Sequence, residues 1–195
     1  MDGIILASGN SLRFGENKLK YSLQGKPLYR HVAQLLYEQY ERGEIKNLLF
    51  VTQYSEIIRE AAEYYPAMIP VLNRNSDFGI SQSIRVGLAV LANINPQSAA
   101  CMFSVADQPF LRERSIQEAI RLFEHHEKKI VAFSHREKTG NPVIFPAMYY
   151  QELMNLSGDT GGKQVVRLHE QEVIHYEADL KELEDIDEKN SPFIR

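Results

Sequence analysis

Small, flexible residues are concentrated in residues 7–18, which follow a short apolar run at the start of the chain. Gly9 and Gly15 permit backbone conformations and close approaches that a β-carbon would obstruct. Asn10 and Ser11 add small polar groups that can bond phosphate oxygens. Composition and position together predict a loop that binds a phosphate-bearing ligand.

The same loop carries two cations, Arg13 and Lys18, which could neutralise the charge of a triphosphate. Arginine makes forked contacts to phosphate and lysine acts as a compact point charge, so the pair predicts a clamp with complementary parts. The spacing is not that of a P-loop, because Glu16 and Asn17 separate Gly15 from Lys18. An ordinary glycine-rich turn with solvated charges is the alternative.

A third chemical candidate is Asp107, which follows the apolar run of residues 100–105 and precedes Pro109. A carboxylate at the end of a central strand is suited to hold Mg2+, which takes one or two protein carboxylates and completes its shell with phosphates and water. The alternative is a cap on the following helix. We expect Asp107 to be catalytic together with Arg13 and Lys18.

Short β-rich runs alternate with amphipathic helical stretches along the chain, which is typical of crossover units that build a mostly parallel sheet. The predicted strands cover residues 3–7, 47–52, 68–72, 100–105, 130–133, 142–145 and 172–176. The predicted helices cover residues 28–42, 55–65, 80–93, 114–128, 147–155 and 162–169. In such α/β sheets, ligands bind beyond the carboxyl ends of the strands, where both candidate segments are expected.

Two further groups of polar residues belong to loops of this predicted edge. Asn73 precedes a helix amino terminus at which the hydroxyls of Ser81 and Ser83 could meet base or phosphate groups. A simple capping role for Ser81 is equally consistent with the spacing. Two more polar loops contain Gly140, Asn141, Asp159 and Lys163, and an exposed surface position is the alternative to a ligand-binding role for Lys163.

Length and composition predict one domain over residues 1–195, since 44% hydrophobic residues suffice for one core. The net charge of -4 offers no attraction for a nucleic acid or an anionic membrane, and no apolar stretch has the length of a membrane span. Cys101 is the single cysteine and lies in an apolar run, so we expect a buried thiol. A cytoplasmic protein is the expectation, because the run after Met1 is unlike a secretory leader and Cys101 has no intrachain partner.

Several segments together resemble the MobA-like nucleotidyltransferases, and within them the molybdenum cofactor cytidylyltransferase branch. Residues 6–9, followed by Arg13-Phe14-Gly15 and Lys18, are similar to the first family signature, with Ser8 where Ala or Gly is usual. The later matching segments are Asn73 with residues 79–83 and 87–88, Ala-Asp-Gln-Pro at 106–109, and residues 140–143 and 156–162. They occur in the order of the family.

This resemblance implies a three-layer α/β/α nucleotide-binding domain with a mostly parallel mixed sheet, like that of nucleotide-diphospho-sugar transferases. The residues implied to bind the nucleotide are Leu6, Ala7, Ser8, Gly9, Asn10, Ser11, Arg13, Lys18, Asn73, Ser81, Ser83 and Asp107. Mg2+ is implied at Asp107. Asp185 and Asp187 are the candidates for a second ligand, and we assign Asp187. The residues implied to bind the acceptor substrate are Gly140, Asn141, Asp159 and Lys163. A solvated acidic tail is the alternative for Asp187 and for Asp185, because the segment after Asp187 departs from the family pattern.

The implied reaction is transfer of CMP from CTP to the terminal phosphate of molybdopterin, with release of pyrophosphate, for maturation of a molybdenum hydroxylase client. Three alternatives stay open: GTP as the donor, another phosphorylated acceptor for CTP, and delivery of a nucleotide-bearing cofactor without turnover. Retention of Arg13, Lys18 and Asp107 favours catalysis over delivery, because a carrier has no need for a metal carboxylate that faces a phosphate clamp.

Overall fold

A seven-stranded sheet forms the centre of the molecule, for which the computed structural model describes residues 1–11 and 14–188. The strands of the described chain are β1 (Asp2–Ala7), β2 (Ser22–Leu23), β3 (Lys26–Pro27), β4 (Leu48–Thr52), β5 (Ile69–Leu72), β6 (Ala100–Val105), β7 (Ile130–His135), β8 (Lys138–Pro146) and β9 (Val173–Glu177). The large sheet has the order β5-β4-β1-β6-β8-β7-β9, and β8 alone runs antiparallel to its neighbours. The sheet is therefore mixed and mostly parallel.

Helices cover both faces of this sheet. They are α1 (Leu28–Glu41), α2 (Ser55–Tyr64), α3 (Ile80–Ile94), α4 (Glu113–His125), α5 (Tyr150–Met154) and α6 (Lys163–Leu168). The first, second and fourth helices pack into one apolar cluster, and the third, fifth and sixth pack into another on the opposite face. Every residue of β1 and β4 is buried, which explains their continuous apolar runs. The predicted three-layer α/β/α fold is confirmed.

Each strand and helix predicted from the sequence is present, with differences at the ends. The strand predicted at residues 142–145 begins earlier, at Lys138, because the chain continues its antiparallel pairing with β7 beyond a bulge. The helix predicted at 147–155 begins as a 3-10 turn, so α5 is shorter. None of the helices in residues 1–11 and 14–188 combines the length and apolar character needed to cross a membrane.

The sequence-based prediction missed a small hairpin formed by β2 and β3. Each strand has only two residues, which is too short for an alternating pattern to be recognised. Gln24 and Gly25 connect them with φ angles of 52° and 79°, as a two-residue hairpin turn requires. This hairpin carries Leu23, which packs in the apolar cluster beneath the candidate site.

Candidate active site

Most of the predicted site residues line one cavity of about 800 Å³ beyond the carboxyl ends of β1 and β6. A volume of this size lies in the upper part of the usual range for small-molecule sites, roughly 300–1,000 Å³. The predicted residues that line it are Leu6, Ala7, Ser8, Gly9, Asn10, Ser11, Lys18, Ser83, Asp107, Asp159 and Asp187. The loop after the first strand and the candidate metal carboxylate therefore face the same space.

Lys18 lies between two carboxylates in this cavity. Its ammonium nitrogen is 2.6 Å from Asp107 Oδ2 and 2.8 Å from Asp187 Oδ1. Burial alone would lower the pKa of Lys18, but the charges and hydrogen bonds of Asp107 and Asp187 outweigh it and raise that pKa. Lys18 is thus a fixed cation, and the two carboxylates converge on one point.

Local bonds hold the Lys18 backbone in place. Asn17 begins the 3-10 turn Lys18–Lys20, and its side-chain oxygen accepts a hydrogen bond from Leu19 N at 3.1 Å. The Ser11 hydroxyl accepts from Lys18 N at 3.2 Å, and the Leu19 side chain is buried in the core. Because both sides of the turn are anchored, the Lys18 side chain projects into the cavity.

Asp187 reaches the cavity because its neighbour Ile186 is an anchor. Ile186 is fully buried in a small cluster with Phe14, Leu23 and Leu28, and its N–H donates to the Asp107 carbonyl at 3.0 Å. This hydrogen bond ties the acidic segment after the 3-10 turn Leu180–Leu183 to Asp107, just beyond the end of β6. This arrangement differs from the solvated tail that was the alternative for Asp187.

The carboxylates of Asp107 and Asp187 have the chemistry that a magnesium site needs. Asp107 and Asp187 share one cationic partner, so a divalent cation at that point would contact both carboxylates. Asp185 lies at the surface, yet partial desolvation and the charges of Asp107 and Asp187 raise the pKa of its carboxyl to about 6. In the described part of the chain, no cluster of three or more metal-binding side chains occurs. Two carboxylates are nevertheless enough for Mg2+, because it can take its remaining ligands from phosphate oxygens and water.

The opposite wall of the cavity depends on a close backbone contact between Gly79 and the loop of residues 157–159. Gly79 has a φ angle of 83°, and a β-carbon there would collide with the carbonyl group of Gly158 and lie 2.7 Å from Asp159 N. Ser81 Oγ donates to the same Gly158 carbonyl at 2.7 Å. The segment that begins α3 and the predicted acceptor loop are thereby fixed to each other.

Three predicted nucleotide-binding residues of the second segment have partners within the protein. Ser81 and Asn73 are buried and do not line the cavity, and Asn73 Nδ2 donates to Ser83 Oγ at 3.0 Å. The Ser83 side chain is buried but reaches the cavity wall. Their contact with a nucleotide stays a prediction, and their observed hydrogen bonds shape the wall.

The predicted acceptor residues divide into two groups. Asp159 lines the cavity, whereas Gly140, Asn141 and Lys163 do not. Gly140 lies within β8, where a β-carbon would be 2.9 Å from a methyl group of Leu183, so its small size serves packing. Lys163 is exposed at the start of α6, and its positive charge offsets part of the rise in the pKa of the nearby Asp185 carboxyl.

Arg13, the other predicted cation of the clamp, lies outside the described residues. Among the described residues, the sequence-based prediction also missed Phe78, which precedes Gly79 and lines the cavity with 64% of its surface exposed. An aromatic residue beside a glycine in a polar loop is the signal that could have identified it. Asp77 in the same turn accepts a hydrogen bond from Asn10 Nδ2 at 3.3 Å, so the turn touches the loop after β1.

Comparison with solved structures reveals close similarity of fold. Rv0371c from Mycobacterium tuberculosis H37Rv has a TM-score of 0.78 and 19% identity, covering 96% of this chain and 92% of that protein, and another structure of it is a manganese complex. A 4-diphosphocytidyl-2C-methyl-D-erythritol synthase from Anaerococcus prevotii has a TM-score of 0.73 and 18% identity over 95% and 89% of the two chains.

Molybdopterin-guanine dinucleotide biosynthesis protein A from Archaeoglobus fulgidus is also similar, with a TM-score of 0.68 and 17% identity over 97% and 94% of the chains. At such identities, these likenesses establish the fold alone. No curated protein matches the chain significantly. The family model of the MobA-like NTP transferase domain matches residues 3–173, which is most of the chain. The chain therefore belongs to the family of MobA-like NTP transferase domains.

Proposed function

We propose that this protein is a cytidylyltransferase that joins CMP from CTP to the terminal phosphate of molybdopterin. The observation that carries the proposal is the convergence of the loop at residues 8–11 with Lys18, Asp107 and Asp187 in one cavity. Phosphoryl chemistry of this kind needs no enzyme nucleophile. It needs two anionic reactants held in line and charge compensation around the α-phosphate, which the residues of this cavity would supply.

In the proposed reaction, an acceptor phosphate oxygen attacks the α-phosphorus of CTP, and the bond to the β-phosphate breaks to release pyrophosphate. Lys18 would contribute positive charge to the phosphates, and the loop at residues 8–11 would bind and orient them. Asp107 and Asp187 would hold Mg2+, which when bound offsets the negative charge of the phosphates. The protein thus acts by positioning and by electrostatics.

The acceptor would approach from the wall formed by residues 157–159. Asp159 faces the cavity there, and the Gly79 contact holds this wall to the start of α3. Molybdopterin is proposed because the Ala-Asp-Gln-Pro segment at 106–109 resembles the molybdenum cofactor branch and the Archaeoglobus protein of similar fold is named for molybdopterin-guanine dinucleotide biosynthesis. The client would then be a molybdenum hydroxylase.

A second candidate is cytidylyl transfer to another phosphorylated acceptor. It is favoured by the similar fold of the 4-diphosphocytidyl-2C-methyl-D-erythritol synthase. In both candidate reactions, the donor side of the cavity would bind CTP and Mg2+. The two reactions differ in the acceptor that would contact residues 157–159. Acceptor identity is therefore the quantity to measure.

The test is release of pyrophosphate by the protein with Mg2+, each of the four common nucleoside triphosphates, and molybdopterin. We expect release with CTP, and we expect Asp107→Asn to reduce it by roughly 100–1,000-fold because the carboxylate proposed to hold Mg2+ at the reacting phosphates is lost. The matched control is Glu113→Gln, since Glu113 pairs with Arg42 on the surface and does not line the cavity. Its turnover should stay at the wild-type rate.

Each other outcome identifies an alternative. Release with GTP alone would replace the proposed donor, and CTP turnover only with a different sugar or alcohol phosphate would support the second candidate. Nucleotide binding without turnover under every condition would favour the carrier function. Wild-type turnover in Asp107→Asn would contradict the catalytic role of the carboxylate.

A further inference from the structure

Three consecutive side chains at the end of β4 donate hydrogen bonds to three consecutive carbonyl oxygens at the end of β1. The pairs are Thr52 Oγ1 with Ala7 O, Gln53 Nε2 with Ser8 O, and Tyr54 Oη with Gly9 O, each at 2.8 Å. Gln53 Nε2 also donates to the side-chain oxygen of Asn10 at 2.7 Å. The backbone ladder between the two strands is thus continued by side chains after the strands end.

These bonds change the direction of the backbone after β1. Within the sheet, the Leu6 carbonyl accepts from Ala106 N on the β6 side, so the Ala7 carbonyl on the β4 side continues the alternation of a strand that pairs on both edges. The Ser8 carbonyl should then return to the β6 side. It faces Gln53 instead, as the Gly9 carbonyl faces Tyr54, so successive peptide groups point the same way.

The peptide N–H groups consequently face the cavity. In a trans peptide, the N–H is directed opposite to the carbonyl of the same plane, so the N–H groups of Gly9 and Asn10 point away from β4. Both residues line the cavity, and neither N–H donates a hydrogen bond to any acceptor among the described residues. Ser11 follows with a φ of 52°, the left-handed turn that brings successive N–H groups into an anion-binding concavity.

We propose that Gln53 and Tyr54 are positioning residues that aim the N–H groups of Gly9 and Asn10 at a polyphosphate. The inference rests on the proposed function only in taking that polyphosphate to be the nucleotide triphosphate. Gln53 and Tyr54 hold the carbonyl side of two peptide planes, which leaves the N–H side preorganised for the ligand. Without them, the loop must order itself when the anion binds, and the affinity is reduced accordingly.

The test uses inorganic tripolyphosphate with Mg2+, because this probe reports the anion cradle without any base contact. Titration calorimetry should give a tripolyphosphate dissociation constant about five-fold higher for Tyr54→Phe and for Gln53→Met than for the wild type, since each variant loses a hydrogen bond that orders the loop. Tyr65→Phe is the matched control: its hydroxyl donates to the Arg30 carbonyl at 3.4 Å outside the cavity, so its binding constant should not change.

A second readout separates positioning from general structural support. In amide NMR spectra, tripolyphosphate should shift the Gly9 and Asn10 resonances of the wild type, and these shifts should shrink in Tyr54→Phe and Gln53→Met. The KM of the acceptor should stay constant in both variants while that of the nucleotide rises. Equal affinities and equal amide shifts in wild type and variants would overturn the inference.

The two proposals fail in different ways. Loss of tripolyphosphate affinity in Tyr54→Phe and Gln53→Met, in a protein that releases no pyrophosphate from any triphosphate, would refute the proposed function and support the positioning role. A wild-type protein that turns over CTP while its Gly9 and Asn10 amides do not respond to tripolyphosphate would refute the positioning role alone.

Discussion

The two walls of the cavity are held by different physical means. On the wall proposed to bind the nucleotide donor (residues 8–11 and Lys18, the donor wall), hydrogen bonds from Gln53 and Tyr54 and the ion pairs of Lys18 fix the loop after β1. On the wall proposed to meet the acceptor (Gly79 and residues 157–159, the acceptor wall), the backbone of Gly79 lies directly against that of Gly158, with one side-chain hydrogen bond beside it. One wall is thus fixed by polar contacts and the other mainly by steric fit.

This difference predicts different responses to substitution. Each polar contact on the donor wall contributes a moderate free energy, so removal of one should weaken binding by a small factor while others remain. A steric contact between backbones has no such gradation, because an added carbon atom must displace one of the two segments. The largest effects on turnover through positioning should therefore come from the acceptor wall.

The largest of these effects is expected for Gly79→Ala. A β-carbon would displace the Gly158 segment, and misplacement of a reactant by about 1 Å can reduce turnover by roughly 100-fold. We expect kcat/KM for the acceptor to fall by about that factor, with a far smaller change in tripolyphosphate affinity. Steady-state kinetics with varied acceptor, combined with titration calorimetry, measures both quantities.

The control for this prediction is Gly25→Ala in the β2–β3 hairpin. Gly25 has nearly the same φ angle, 79°, but no atom lies within 4 Å of its added β-carbon. Gly25→Ala should lose about 1–2 kcal/mol of stability through its backbone angle. Gly79→Ala should lose more, because φ of 83° with ψ of -175° is essentially restricted to glycine and its β-carbon also meets Gly158. Only Gly79→Ala should lose acceptor turnover. Equal loss of turnover in both would mean that backbone strain, and not the collision with Gly158, matters.

Lys18→Met, on the donor wall, is expected to raise the affinity for a divalent cation and to lower the affinity for CTP. Without the ammonium group, Asp107 and Asp187 lose their shared cation, so the affinity for a divalent cation in the absence of nucleotide should rise at least about ten-fold. That factor corresponds to ~1.4 kcal/mol, well below the ~4 kcal/mol of direct attraction between unit charges near a protein surface. The affinity for CTP without metal should fall, because a phosphate-binding charge is removed.

Electron paramagnetic resonance titration with Mn2+ measures the first effect, and calorimetry with CTP measures the second. Lys20→Met is the matched control, since Lys20 is exposed in the same 3-10 turn and does not line the cavity. If Lys18→Met bound Mn2+ no better than the wild type, Lys18 and the cation would not compete for the two carboxylates. Substitution of one residue in the donor wall would then change ligand binding even less than we predict.

The sequence alone was sufficient for the features that depend on local pattern. Apolar runs identified the seven strands of the large sheet, and the end of β6 identified Asp107 as a cavity residue. The fold and the shared cavity follow from these runs, because the carboxyl ends of parallel strands meet at one edge. Resemblance then supplied Asp187, which the structure brings to the same cation as Asp107.

Contacts between residues far apart in sequence could not be predicted in this way. Lys18 and Asp107 were expected to face a phosphate and a metal separately, whereas the structure pairs them directly. Nothing in local composition connects Gly79 with Gly158, or Tyr54 with the loop after β1, since such contacts depend on how loops leave the sheet. The carboxyl ends of β1, β4, β5 and β6 were predictable, but the bonds that hold the loops beyond them were not.

The smallest predicted effect is that of Ser81→Ala on the acceptor wall. The variant removes the hydroxyl that donates to the Gly158 carbonyl but keeps the Gly79 contact, and a single hydrogen bond contributes about 1 kcal/mol. We expect acceptor kcat/KM to fall only a few-fold, measured beside Ser115→Ala, which alters another buried serine near the start of a helix. A loss as large as that of Gly79→Ala would show that the hydroxyl, and not backbone fit, fixes this wall, and both walls would then depend on polar contacts.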